Sequence, residues 1–186
     1  MSLIAASNKF SDPFITSDGA TRASVSLNQL QTLWFNTGTL CNLACTNCYI
    51  ESTPSNDRLE YIRLAEVQEF LNEIENQDLG TREIGLTGGE PFMNPDIIPI
   101  MQAILHRGFD LLVLTNGMRP MAKLSAELLE LHKGYPQQLT LRVSVDHYRP
   151  ELHEEERGAR SWQPMLEGLR WLSANGFNLD VAGRTL

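Results

Sequence analysis

Cys41-Asn42-Leu43-Ala44-Cys45-Thr46-Asn47-Cys48 holds all 3 cysteines of a 186-residue chain, spaced C-x3-C-x2-C. A loop this short can wrap one metal centre and present every sulfur to it. A [4Fe–4S] cube normally takes a cysteine thiolate on each of its irons. Three thiolates leave one iron open to a substrate or cofactor. The plainer alternative is structural zinc on three cysteines and a histidine. His106, His132, His147 and His153 all lie far from the cysteines in sequence, and zinc knuckles usually carry their ligands as two separated pairs. An odd count at tight spacing does not suit a disulfide framework.

The C-x3-C-x2-C loop, following a predicted first strand, resembles the signature of the radical S-adenosylmethionine (SAM) enzymes. The resemblance implies a [4Fe–4S] cluster on Cys41, Cys45 and Cys48, with SAM chelating the open iron through its amino and carboxylate groups. One electron then cleaves SAM to methionine and a 5′-deoxyadenosyl radical, which takes a hydrogen atom from substrate. The cofactor carries the hard chemistry, and the protein positions and shields it. It also implies a one-electron donor such as flavodoxin or ferredoxin. The family often has an aromatic residue just before the third cysteine, beside the adenine. Here that place is Asn47, and Tyr49, just after the cysteines, is the adenine candidate.

Gly88-Gly89-Glu90-Pro91 is the second motif. Paired glycines at a strand end allow close backbone approach or a positive φ. In the family this motif meets the SAM amino group, so Glu90 is the expected acceptor of charge-assisted hydrogen bonds from the ammonium. The same resemblance puts Ser144 and Asp146, at the fourth strand end, near the SAM ribose. At the fifth, it puts Gly183 beside the adenine and Arg184 on the SAM carboxylate. His147 is read either as a substrate contact or as an ordinary loop histidine.

These residues need strands and helices to hold them. Leu33–Thr37 and Glu83–Thr87 read as strands, and Leu111–Leu114 as a fully apolar one covered on both faces. Leu139, Leu141, Val143 and Val145 alternate with polar residues, as do Phe177, Leu179 and Val181. That pattern predicts apolar faces against helices and a polar, wet interior, or else polar faces that meet solvent in an open sheet. Val67, Phe70, Leu71 and Ile74 predict a helix over about 64–77. Pro95 suits the first position of the next helix, ended by Gly108. One helix is expected through Met121, Leu124, Leu128 and Leu131, and another through Trp162, Met165, Leu166, Leu169 and Leu172. Glu154-Glu155-Glu156 reads as a solvated helix face.

Strand–helix alternation implies parallel strands with right-handed crossovers. The expected fold is therefore α/β: a partial (β/α)6 TIM-like barrel with about five βα units. Residues 1–31 form a polar leader, with turns at Asp12-Pro13 and Ser17-Asp18-Gly19. Phe10, Phe14 and Ile15 are its candidate anchors. Residues 32–186 form the core domain, expected to be truncated at its C-terminal end because the family barrel has a sixth unit.

Net charge is −8, which argues against nucleic acid as a partner. No apolar run approaches a membrane span, and a cluster of this kind fits a reducing cytoplasm. Two other readings stand beside the enzyme: a zinc-binding structural or interaction module, and a SAM-binding fold without turnover. Peptide or protein modification and small-molecule metabolism are both open as substrate classes.

Overall fold

A computed structural model describes residues 12–184. Five strands form one parallel sheet in the order β1-β2-β3-β4-β5. They are β1 (Thr32–Asn36), β2 (Glu83–Thr87), β3 (Asp110–Thr115), β4 (Leu139–Ser144) and β5 (Asn178–Ala182). The helices alternate with them: α1 (Leu64–Asn76), α2 (Ile97–His106), α3 (Arg119–Lys123), α4 (Ser125–Gly134), α5 (Pro150–Arg157) and α6 (Trp162–Ala174). Among the described residues, β1 and β5 each have one strand neighbour, so the sheet is a barrel wall rather than a closed barrel.

Alternation decides which side faces the helices. Ile84, Leu86, Leu111, Val113, Leu139, Leu141 and Val143 are buried in one core with Val67, Leu71, Ile104, Leu128 and Leu172. The opposite face is mixed. Gly85, Leu112, Thr140 and Asn178 share a row across β2–β5. In the next row Leu114, Arg142 and Asp180 are in register, and Arg142 pairs with Asp180 at 2.8 Å. The polar face expected of β4 and β5 is therefore present opposite the helices.

Five local expectations change. Val181 is 60% exposed, because among the described residues no helix follows β5 to cover it. The helix expected through Met121 and Leu131 is two, broken at Leu124 (φ −106°, ψ 19°), and the bend still buries Met121, Leu128 and Leu131. Helix α2 starts at Ile97 rather than at Pro95. Asn94 accepts from Asp96 N at 2.8 Å and donates to Ile62 O at 2.8 Å, which holds its segment as a buried turn before the helix. Phe14 and Ile15 are exposed and do not anchor the leader; Phe10 lies outside the described residues. Glu156 is buried at 5% exposure, not solvated. The turns read at Asp12 and Gly19 do form, with Asp12 Oδ1 capping Phe14 N and Ile15 N and Gly19 N donating to Thr16 O.

Candidate functional site

The cysteine loop and the Gly-Gly-Glu turn are joined by backbone hydrogen bonds. Beyond the β1–β2 ladder, Thr37 N donates to Thr87 O (2.8 Å), Gly89 N to Gly38 O (2.8 Å) and Glu90 N to Leu40 O (3.1 Å). The approach is close enough to require glycine. A Cβ on Gly88, whose φ is +144°, would lie 2.7 Å from Gly38 O and 2.9 Å from Thr37 Oγ1. On Gly89 it would overlap the Leu40 carbonyl. The paired glycines thus bring the two motifs side by side.

Glu90 does not line the cavity. It is 2% exposed, and its carboxylate accepts from Thr115 Oγ1 (2.8 Å), Asn116 N (2.8 Å) and Phe92 N (3.3 Å). It stitches the end of β2 to the end of β3. Burial pushes its pKa up to about 7, against the pull of those donors. Pro91 is buried behind it at the start of a short 3-10 turn.

The three cysteines share the wall of one cavity of about 270 Å³ with residues from four strand ends. Gly88 and Gly89 come from β2, Thr115 and Asn116 from β3, Ser144 and Asp146 from β4, and Gly183 and Arg184 from β5. Tyr49 is on the rim, 81% exposed. Strand C-terminal ends are where parallel α/β folds build their sites. Cys41 is the deepest cysteine, at 6% exposure. Burial pushes its thiol up to about 12, with the nearby Glu90, Cys45 and Cys48 adding to the rise.

Three side-chain sets hold this wall in place. Asn116 Nδ2 donates to Asn42 Oδ1 at 2.8 Å and lies 3.9 Å from Cys41 Sγ. Asp146, with its side chain 2% exposed, takes Arg157 Nε at 2.7 Å and an Arg184 guanidinium nitrogen at 2.6 Å. Burial alone would raise the Asp146 pKa, but hydrogen bonds from Arg184 and Arg157 outweigh it and hold the carboxyl down at about 2. The hydrogen bond and charge of Asp146 raise the Arg184 pKa in turn, and Cys45 adds to the rise. The third set is a clasp from α5. Thr46 N donates to Glu156 O at 2.9 Å, and Asn47 Nδ2 to the two Glu156 carboxylate oxygens at 3.1 and 2.9 Å.

Of the residues named from sequence, Cys41, Cys45, Cys48, Tyr49, Gly88, Gly89, Ser144, Asp146, Gly183 and Arg184 come together around the cavity. Glu90 and Pro91 stand behind it. His147 lies outside it, accepting from Arg149 N at 2.9 Å and stacked on Tyr148. Asn116 and Arg157, which sequence places in turns resembling the family's strand ends but without a binding role, and Ser52, which it does not single out, are also on the wall. For Asn116 the available signal was its place at the end of a parallel strand.

The residues present fit a cluster with an open iron. Three sulfurs face one space, and Ser52 Oγ, buried beside Cys48, has no hydrogen-bond partner among the described residues. Three cysteines on the wall of one cavity match a cluster that takes one protein sulfur on each of three irons.

A family model described as the Radical SAM superfamily matches residues 35–185. Similar curated proteins include the antilisterial bacteriocin subtilosin biosynthesis protein AlbA of Bacillus subtilis (strain 168), 31% identical over 144 residues, 76% of this chain and 30% of that protein. GTP 3′,8-cyclase of Picosynechococcus sp. is 31% identical over 147 residues, 74% of this chain and 42% of the enzyme. Among solved structures, Streptococcus suis SuiB bound to S-adenosylmethionine superposes with a TM-score of 0.68 at 17% identity, over 83% of this chain and 34% of that one. Methylornithine synthase (PylB) gives 0.61 at 18%, over 81% and 43%. The chain spans less than half the length of each of these proteins.

Proposed function

The chain belongs to the radical SAM superfamily, and from that premise we propose that it is the core of an enzyme that cleaves SAM reductively and abstracts hydrogen from a substrate. The carrying observation is the single cavity shared by the three cysteines and the ends of β2 to β5. Cys41, Cys45 and Cys48 hold the [4Fe–4S] cluster. When bound, the cluster supplies one electron, and SAM yields methionine and a 5′-deoxyadenosyl radical.

The chain's own residues bind and orient. Gly88 and Gly89 offer backbone toward the SAM amino group, and Glu90 braces that turn from behind. Ser144 and Asp146 stand at the ribose end, and Tyr49 and Gly183 at the adenine. Arg184, aimed by Asp146 and held beside Cys45, is the cation for the SAM carboxylate. Asp146 has both oxygens engaged by arginines, so its part is to aim Arg184.

The electron comes from a protein carrier such as flavodoxin or ferredoxin, in a reducing cytoplasm. No helix among the described residues is long and apolar enough to cross a membrane. On the substrate, AlbA acts in bacteriocin biosynthesis and SuiB is known bound to a precursor peptide, which supports peptide modification. The GTP 3′,8-cyclases support a small-molecule substrate.

The test is production of 5′-deoxyadenosine by protein reconstituted anaerobically with iron and sulfide, then given dithionite and SAM. The full chain is expected to produce it, and Cys45→Ser to lose both the intact cluster's absorbance and the product. Product from Cys45→Ser would overturn the proposal. Zinc uptake without a cluster would favour the structural module instead.

A further inference from the structure

A second concavity, a groove of about 800 Å³, meets the cysteine loop at Asn42. It shares no lining residue with the cysteine cavity. Cys41 faces the cavity and the next residue, Asn42, faces the groove. The two are linked by side chains as well as by the backbone. Asn42 Nδ2 approaches Met118 Sδ on the groove wall at 4.0 Å, and Asn42 Oδ1 accepts from Asn116, the residue beside Cys41 Sγ.

The groove is apolar with a positive rim. Met93, Met118 and Pro120 contribute apolar surface, and Arg119 and Lys123 stand one turn apart on α3, both exposed. No acidic residue lines it, although the chain carries 23 acidic against 15 basic residues. Among the described residues, neither cation has an ion-pair partner. Half-buried methionines on a groove wall make an adaptable apolar contact, and two unpaired cations select for a negative partner and speed its encounter.

We propose that this groove is the docking surface for a small acidic one-electron carrier protein that reduces the cluster held by Cys41, Cys45 and Cys48. The inference rests on the proposed function above, since it supplies the electron that SAM cleavage consumes. The reduced carrier loses one electron, the cluster gains it, and no bond is made or broken at the groove. Redox encounters of this kind use small interfaces, so a short apolar groove flanked by two charges is sufficient. The fit is to the carrier's charge, not to one cofactor.

The test uses flavodoxin as the probe, with binding measured by calorimetry on the reconstituted full chain. Affinity is expected to fall as salt rises, and the double variant Arg119→Glu/Lys123→Glu to bind about tenfold or more weakly, two reversed charges at a contact being worth at least that. 5′-Deoxyadenosine formation driven by reduced flavodoxin falls with it, while formation driven by dithionite stays at the wild-type level. Unchanged flavodoxin affinity in the double variant would overturn the proposal. So would an equal loss of dithionite-driven product, because the groove would then belong to substrate or to the fold. Absence of product from the wild-type chain with dithionite would instead sink the proposed function itself.

Discussion

Asp146 shows how much of the site depends on one side chain. It is nearly inaccessible and satisfies two arginines from different elements, Arg157 at the end of α5 and Arg184 after β5. Asp146→Ala leaves Arg157, with 11% side-chain exposure, without its counter-charge. Breaking a buried pair from one side costs about 3–5 kcal/mol, so urea unfolding is expected to show a loss of that order. Asp146→Asn tests the charge with little change of shape. The folded carboxyl titrates at about 2 against an ordinary 3.8, so the unfolded chain takes up the proton first. The stabilisation is complete above 3.8 and is lost as pH falls toward about 2. The asparagine variant is expected to flatten that part of the stability–pH curve. The cysteines and the glycine pair were legible from sequence because their spacing is local. Asp146 was legible only as a strand-end residue, and its arginine partners come from 11 and 38 residues further along the chain.

At the scale of elements, the clasp between α5 and the cysteine loop is the feature that sequence patterning hid. Glu154-Glu155-Glu156 is what a solvated helix face looks like. Glu156 is buried only because Asn47, 109 residues earlier, folds onto it. No local periodicity reports such a pair. Asn47 stands where the resembled family often has an aromatic residue, and here its amide ties down the loop instead. Glu156→Ala removes a charged acceptor, a loss of about 1.5–3 kcal/mol. Because the clasp holds a loop rather than the core, the expected result is faster hydrogen exchange at the Thr46 and Cys48 amides with a smaller change in the exchange of the β3 and β4 core. Glu156→Gln, which keeps one acceptor oxygen, is expected to fall between. Unchanged exchange at Thr46 would show that the loop holds itself. Strands β3 and β4, by contrast, were legible outright, since their apolar runs and alternation are set by burial on a parallel sheet. The break at Leu124 was not, because the leucine spacing continues across it.

For the whole molecule, five parallel strands place every strand C-terminus on one side of the sheet, and the cysteine loop folds over that side. Alternation of strands and helices made this arrangement readable before any coordinates. The second, positive groove was not readable, because Asn42, Met93, Met118 and Lys123 meet only once α3 bends away from α4. Two openings with no lining residue in common border the one loop, with SAM proposed for the cavity and an electron carrier for the groove. The central claim is that the cysteine cavity holds a cluster whose open iron takes SAM. It is tested most directly by electron paramagnetic resonance of the anaerobically reconstituted, dithionite-reduced chain, recorded with and without SAM. The account predicts a [4Fe–4S]⁺ signal whose shape changes when SAM is added. A cluster signal indifferent to SAM, or zinc in place of iron, would contradict it.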